Sequence, residues 1–144
     1  MPAPRIKVYP AETTIAEKLD AMLERGMTNS RMKDYYDIAV LARHFAFEGN
    51  TLQNAINATL KRRGRELADH PPISLADDFG TDATRALQWN AFIRNNRSEE
   101  YPTDLLTTVR QVRAFLEPVL VAINKRTEFN GHWPPAGPWE QSHA

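Results

Sequence analysis

The chain contains no cysteine, which removes disulfides, thiolate metal ligands and cysteine nucleophiles from its chemistry. Long apolar runs are missing too. Its hydrophobic residues recur at helical spacing, and no stretch approaches membrane-spanning length. The opening MPAPRIKVYP lacks the apolar centre of a secretory signal. No excess of either charge exists: 18 Lys+Arg balance 18 Asp+Glu, so no global field draws the chain to nucleic acid and any such contact needs a local patch. Glycine is sparse, and none of the six residues (Gly26, Gly49, Gly64, Gly80, Gly131, Gly137) makes a Gly-Ser or Gly-Gly turn. His44, His70, His132 and His143 are scattered without ligand spacing, which argues against a metal site. With neither G-x-S-x-G nor a Cys-His arrangement, a nucleophilic hydrolase is disfavoured as well.

What is present suffices for one core. The chain has 144 residues, 42% hydrophobic and 25% charged, too few for two comfortable domains. Arg5 to Tyr9 alternates polar and apolar and reads as a short strand ended by Pro10. A lone strand in a helical chain leaves backbone groups unpaired, so it is expected to pair with a second copy (a homodimer) or another chain, or to fray. Helix one is expected to run to about Arg25, with Thr14 and Glu17 spaced as a capping box and Gly26 as its stop. Asn29 or Ser30 is the expected cap of helix two. Asn50 or Thr51 caps helix three, whose stripe is Leu52, Ile56 and Leu60 and whose end is the basic run Lys61, Arg62, Arg63 and Arg65. A brief turn of helix follows His70-Pro71-Pro72. Helix four, about 82–95, shows two apolar faces: Ala86, Trp89 and Ile93, and Ala83, Leu87 and Ala91. The last helix, about 102–124, carries Leu105, Val109, Val112, Leu116, Val119 and Ile123, with Pro118 inside it. Residues 125–144, rich in Pro and Gly, read as a flexible tail after a helical domain over 1–124.

Two helices each set a charge against an apolar stripe. On the first, Ile15, Leu19, Met22 and Leu23 form the stripe and Lys18 lies at its edge. On the second, Ile38, Leu41, Ala42 and Phe45 form it, and Asp34, one turn earlier, points along its centre. A carboxylate aimed into a core is costly unless a cation answers it, and Lys18 and Arg25 are the nearest in sequence.

The pattern Ala16-Glu17-Lys18-Leu19-x-Ala21, a short loop, then Arg31-x-Lys33-Asp34-Tyr35-Tyr36-Asp37-Ile38, resembles the AbiEii/AbiGii nucleotidyltransferase toxins of bacterial toxin–antitoxin systems. The likeness runs from Pro4-Arg5-Ile6-Lys7-Val8-Tyr9-Pro10 through Gln88-Trp89-Asn90-Ala91-Phe92 to about Leu120. It covers the C-terminal part of the family. Complete members carry upstream a Gly-Ser turn and an Asp-x-Asp pair that hold Mg²⁺ and the nucleoside triphosphate, and neither pattern stands here. The resemblance implies a mainly α fold, a bundle of about five helices with one N-terminal strand, corresponding to the helical half of an α/β nucleotidyltransferase. It implies nucleotide transfer to RNA, first of all transfer RNA, in the bacterial cytoplasm, in phage defence (abortive infection) and with a cognate antitoxin. This chain alone is expected to be inactive, a truncated or remnant form without a metal of its own.

The resemblance makes Lys18, facing phosphate, and Asp34, as base or orienting acid, the catalytic candidates. Arg25, Arg31, Lys33 and Asp37 are the substrate-binding ones. Each has a plainer reading beside it. Lys18 and Asp34 also suit an ion pair pinning two helices, Asp37 an i,i+4 pair with Lys33, and Arg25 a helix C-terminus. Lys61, Arg62, Arg63 and Arg65 make the best nucleic-acid patch, and equally an ordinary basic helix end. Tyr35 and Tyr36, at helical spacing, are assigned to the core rather than to base stacking. The alternative function is a non-catalytic helical module that binds antitoxin or RNA, or an inert remnant.

Overall fold

The computed structural model describes residues 10–95 and 104–141. Over these it is mainly α-helical: α1 (Pro10–Arg25), α2 (Met32–His44), α3 (Gly49–Arg62), α4 (Asp77–Thr81), α5 (Ala83–Asn95) and α6 (Leu105–Lys125), with a two-stranded sheet of β1 (Phe47–Glu48) and β2 (His132–Trp133). The expected strand at Arg5 to Tyr9 lies outside the described residues. None of the described helices is long and apolar enough to cross a membrane.

Helix α6 is the hub, packed against α2, α3, α4 and α5, while α1 lies along α3 and touches α2. Its stripe forms as the period demands: Leu105, Val109, Val112, Leu116 and Val119 are all buried, joined by Phe115. Asp104 caps it, accepting a hydrogen bond from Thr107 N at 2.7 Å. The same core takes in Ile15, Leu19 and Met22 of α1, Tyr35 and Ile38 of α2, and Leu52 and Ile56 of α3, each fully buried. Gly26 follows α1 at φ +51, the left-handed turn that reverses the chain towards α2.

Several expectations change. Helix α1 starts at Pro10, not near Thr14, because a proline at the first helical position gives up only an amide that has no helical partner. Thr14 is therefore an interior, exposed position and caps nothing. Helix α3 begins at Gly49, ahead of Asn50 and Thr51, since Gly49 N donates to Gly131 O at 2.7 Å and a Cβ there would lie 2.7 Å from Phe129 O. On α2 the buried stripe is Met32, Tyr35, Ile38, Ala39 and Ala42, rotated from the expected one: Leu41 is only half-buried and Phe45 is 53% exposed. The second face expected on α5 is open, with Leu87 69% exposed, because α2, α4 and α6 cover only the Trp89 side.

The largest correction concerns the expected tail, over its described residues 125–141. Phe47 pairs with Trp133 and Glu48 with His132 in an antiparallel ladder. Trp133 is buried and its indole Nε1 donates to Ala42 O at 2.6 Å, while Trp139 Nε1 donates to Phe115 O at 2.8 Å. Gln53 clips the segment further, donating from Nε2 to Thr127 O at 2.7 Å and accepting from Phe129 N at 2.8 Å. Prolines and glycines gave this segment the composition of a tail. Its two tryptophans supply the apolar area that holds it down.

Candidate functional site

Lys18 leaves α1 where the helix faces the first turn of α2. Its Nζ lies 3.3 Å from Asp34 Oδ1 and 2.9 Å from Asp37 Oδ2, so one ammonium bridges two carboxylates a helical turn apart. Asp37 Oδ2 also receives Lys33 Nζ at 2.6 Å, the i,i+4 pair read from the sequence. Asp34 is 1% exposed, and its Oδ2 has Arg31 Nε at 3.4 Å without a well-aligned hydrogen bond. Asp34 sits in the first turn of α2, where the helix dipole favours an anion. Burial works against the charge on Lys18, but the hydrogen bonds and charges of Asp37 and then Asp34 outweigh it and hold the amine above its ordinary value.

Lys18, Arg31, Lys33 and Asp34 line a cleft of about 400 Å³ whose other wall is Gln88 and Phe92 of α5. Arg25 does not reach it. It lines a neighbouring cleft of about 500 Å³ with Arg63, and Lys18 and Arg31 border both. The approach of α5 is fixed by Arg85, whose Nη1 donates to Asn29 O at 2.8 Å. Asn29, expected as a helix cap, is fully buried; its Oδ1 accepts from Arg31 N at 3.0 Å and so shapes the loop that aims Arg31.

Next to the site, Tyr35 is core as expected: it stacks on Phe79 with ring centroids 4.9 Å apart and donates to Ser74 O at 2.7 Å. Burial pushes its phenol well up and the charge of Asp34 adds to this, while the neighbouring Asn29 amide works the other way. Tyr36, half-buried, meets Phe92 edge-on at 5.6 Å.

The basic run at the end of α3 is largely spent on α1. Arg62 and Arg63 both pair with Glu17, Arg63 at 3.1 Å, and Arg65 Nε meets the buried Asp20 at 2.6 Å. Among the described residues, Lys61 alone of the four makes no ion pair. The run fastens α3 to α1. Among the described residues no group of three or more His, Asp or Glu converges to hold a metal. The carboxylates of Asp34 and Asp37 are taken up by Lys18, Arg31 and Lys33, so this donor set does not fit the Mg²⁺ implied for the complete enzyme.

Residues 1–117 match the family model described as nucleotidyl transferase AbiEii toxin, type IV toxin–antitoxin system. The chain belongs to that family. No curated protein and no solved structure matches it. Within the matched span lie Lys18, Arg31, Lys33 and Asp34, which the fold gathers at one cleft, the Gln88 and Phe92 that face them, and Asp37, which pairs with Lys18 and Lys33 beside it. Gln88 and Phe92 stood in the motif that carried the resemblance. Helical period gave no reason to aim them at Lys18, because the crossing of α5 over α2 is a tertiary fact.

Proposed function

We propose that this chain supplies the phosphate-facing half of a nucleotidyltransferase site that moves a nucleotide from a triphosphate to RNA, transfer RNA first among candidates. The observation that carries the reading is Lys18: a cation shared between Asp34 and Asp37 and opening, with Arg31 and Lys33, onto one cleft. Triphosphate oxygens entering the cleft take the place of Asp37 on Lys18, and the ammonium neutralises charge that builds as an RNA hydroxyl attacks and pyrophosphate leaves. Asp34, too buried to move far, holds Lys18 in place or orders the attacking hydroxyl. The Gly-Ser turn and Asp-x-Asp pair of the family are not among these residues, so that half of the site comes from elsewhere. This chain is inert alone, and in its bacterial cytoplasm it works in phage defence opposite a cognate antitoxin.

A second reading, a non-catalytic module for antitoxin or RNA or an inert remnant, draws on one observation: both acids are already answered by cations, as in a structural pin. Radiolabelled triphosphates and total RNA separate the two. The chain alone should transfer no label. Fused behind a homologous N-terminal nucleotidyltransferase domain placed ahead of Pro4, it should label RNA, and Lys18→Met or Asp34→Asn should abolish the labelling. A well-folded fusion that labels equally with both changes refutes the site. A folded fusion that never labels favours the second reading.

A further inference from the structure

Two buried acceptors of this cleft accept no hydrogen bond. Asp34 gives Oδ1 to Lys18, but its Oδ2 accepts no hydrogen bond, and across the cleft the amide Oε1 of Gln88 is buried with no partner. A buried unpaired acceptor is expensive, and few survive in a folded protein without a reason. The cations on the same walls, Lys18, Arg31 and Lys33, suit phosphate, whereas phosphate offers these two oxygens nothing, since it brings no donor and is repelled by Asp34. The complementary ligand carries an anion and, a few bonds away, neutral O–H donors. A ribose 5′-phosphate has that constitution.

We propose that Gln88 is a substrate-binding residue that receives the sugar hydroxyls of the nucleotide, so that the cleft selects ribonucleotides over nucleotides lacking those hydroxyls. This rests on the nucleotide reading of the Lys18 cleft given above. Both oxygens lie beneath the cleft surface, and Arg31, whose side chain is 50% exposed, is free to swing from Asp34 to phosphate and uncover Oδ2. Rotation about the terminal torsion of Gln88 turns its amide to the ligand. Phe92, held by ring contacts with Tyr36 and Trp89, is a fixed apolar wall beneath the sugar rather than an anchor of its own.

The test titrates the whole chain calorimetrically with ATP, 2′,3′-dideoxy-ATP, UTP and tripolyphosphate, using wild type, Gln88→Leu and Lys18→Met. Wild type should prefer ATP over the dideoxy analogue by about tenfold, the equivalent of one good hydrogen bond. Gln88→Leu should erase that ratio, leave tripolyphosphate affinity unchanged, and raise the melting temperature because the unpaired acceptor is gone. A ratio that persists in Gln88→Leu overturns the assignment while leaving the phosphate site standing. A preference between ATP and UTP that vanishes in Gln88→Leu, with the dideoxy analogue bound as well as ATP, also overturns it and gives Gln88 to the base. If tripolyphosphate and ATP bind no better to wild type than to Lys18→Met, the nucleotide reading fails and the proposal falls with it.

Discussion

Lys18→Met keeps the length of the side chain on α1 and removes only its charge. Asp34, 1% exposed, then retains a single cation, Arg31 Nε at 3.4 Å, on a half-exposed side chain. Asp37 keeps Lys33 at 2.6 Å and loses little. Breaking a fully buried pair costs about 3–5 kcal/mol, and a hydrogen bond to a charged group contributes about 1.5–3 kcal/mol. With Lys18 at 19% side-chain exposure and Arg31 still near, the lower range governs, so the loss should be about 1–3 kcal/mol. Asp34→Leu removes the other partner, and in the double variant no buried charge is left unanswered. The double variant should therefore be more stable than the sum of the singles predicts, by about 1 kcal/mol or more. Urea unfolding of all four proteins with unchanged m-values supplies the cycle. Strict additivity, or a Lys18→Met midpoint equal to wild type, would show that the ammonium does not hold Asp34 and would refute the geometry on which the site is built. Alkaline titration gives an independent check. Because the folded-state pKa of Lys18 is raised, its contribution is complete below the ordinary lysine value of 10.5 and lost as pH climbs through the folded value, a loss that Lys18→Met should not show.

Leu116→Ala, at a fully buried site on α6, should cost about 2–5 kcal/mol in the same assay, while Leu41→Ala, half-buried, should cost clearly less; equal losses would contradict the rotated stripe of α2. Trp133→Ala should cost about 3–5 kcal/mol if residues 132–140 are bound as the ladder and indole bond indicate, and a loss under about 1 kcal/mol would return the segment to the status of a tail. Asp77 is held down to about 2 by its hydrogen bonds with Arg110 and then Arg113, at 3.0 and 2.9 Å. Its contribution is present above the ordinary aspartate value of 3.8 and fades as pH falls through about 2, so Asp77→Asn should flatten the acid limb of stability; an unchanged limb would count against the bridge.

Much was legible in the residues themselves. The period of α6 and α3, the stop at Gly26, the burial of Tyr35 and the facing of Lys18 and Asp34 follow from spacing and from the cost of a lone carboxylate in a core, which are local or nearest-neighbour facts. The sequence alone also determined the family, through the order and chemistry of the Lys18 and Asp34 motifs. The tertiary structure decided what depends on residues far apart in the chain. It brought Glu17 and Asp20 to the basic run of α3, so that Arg62, Arg63 and Arg65 clamp α3 to α1. Pairing with Phe47 and ring contact with Phe115 turned the Pro- and Gly-rich tail into part of the core. It set Gln88 across from Lys18, a placement no helical period encodes, since periodicity says which face of a helix is apolar but not which neighbour the polar face will meet.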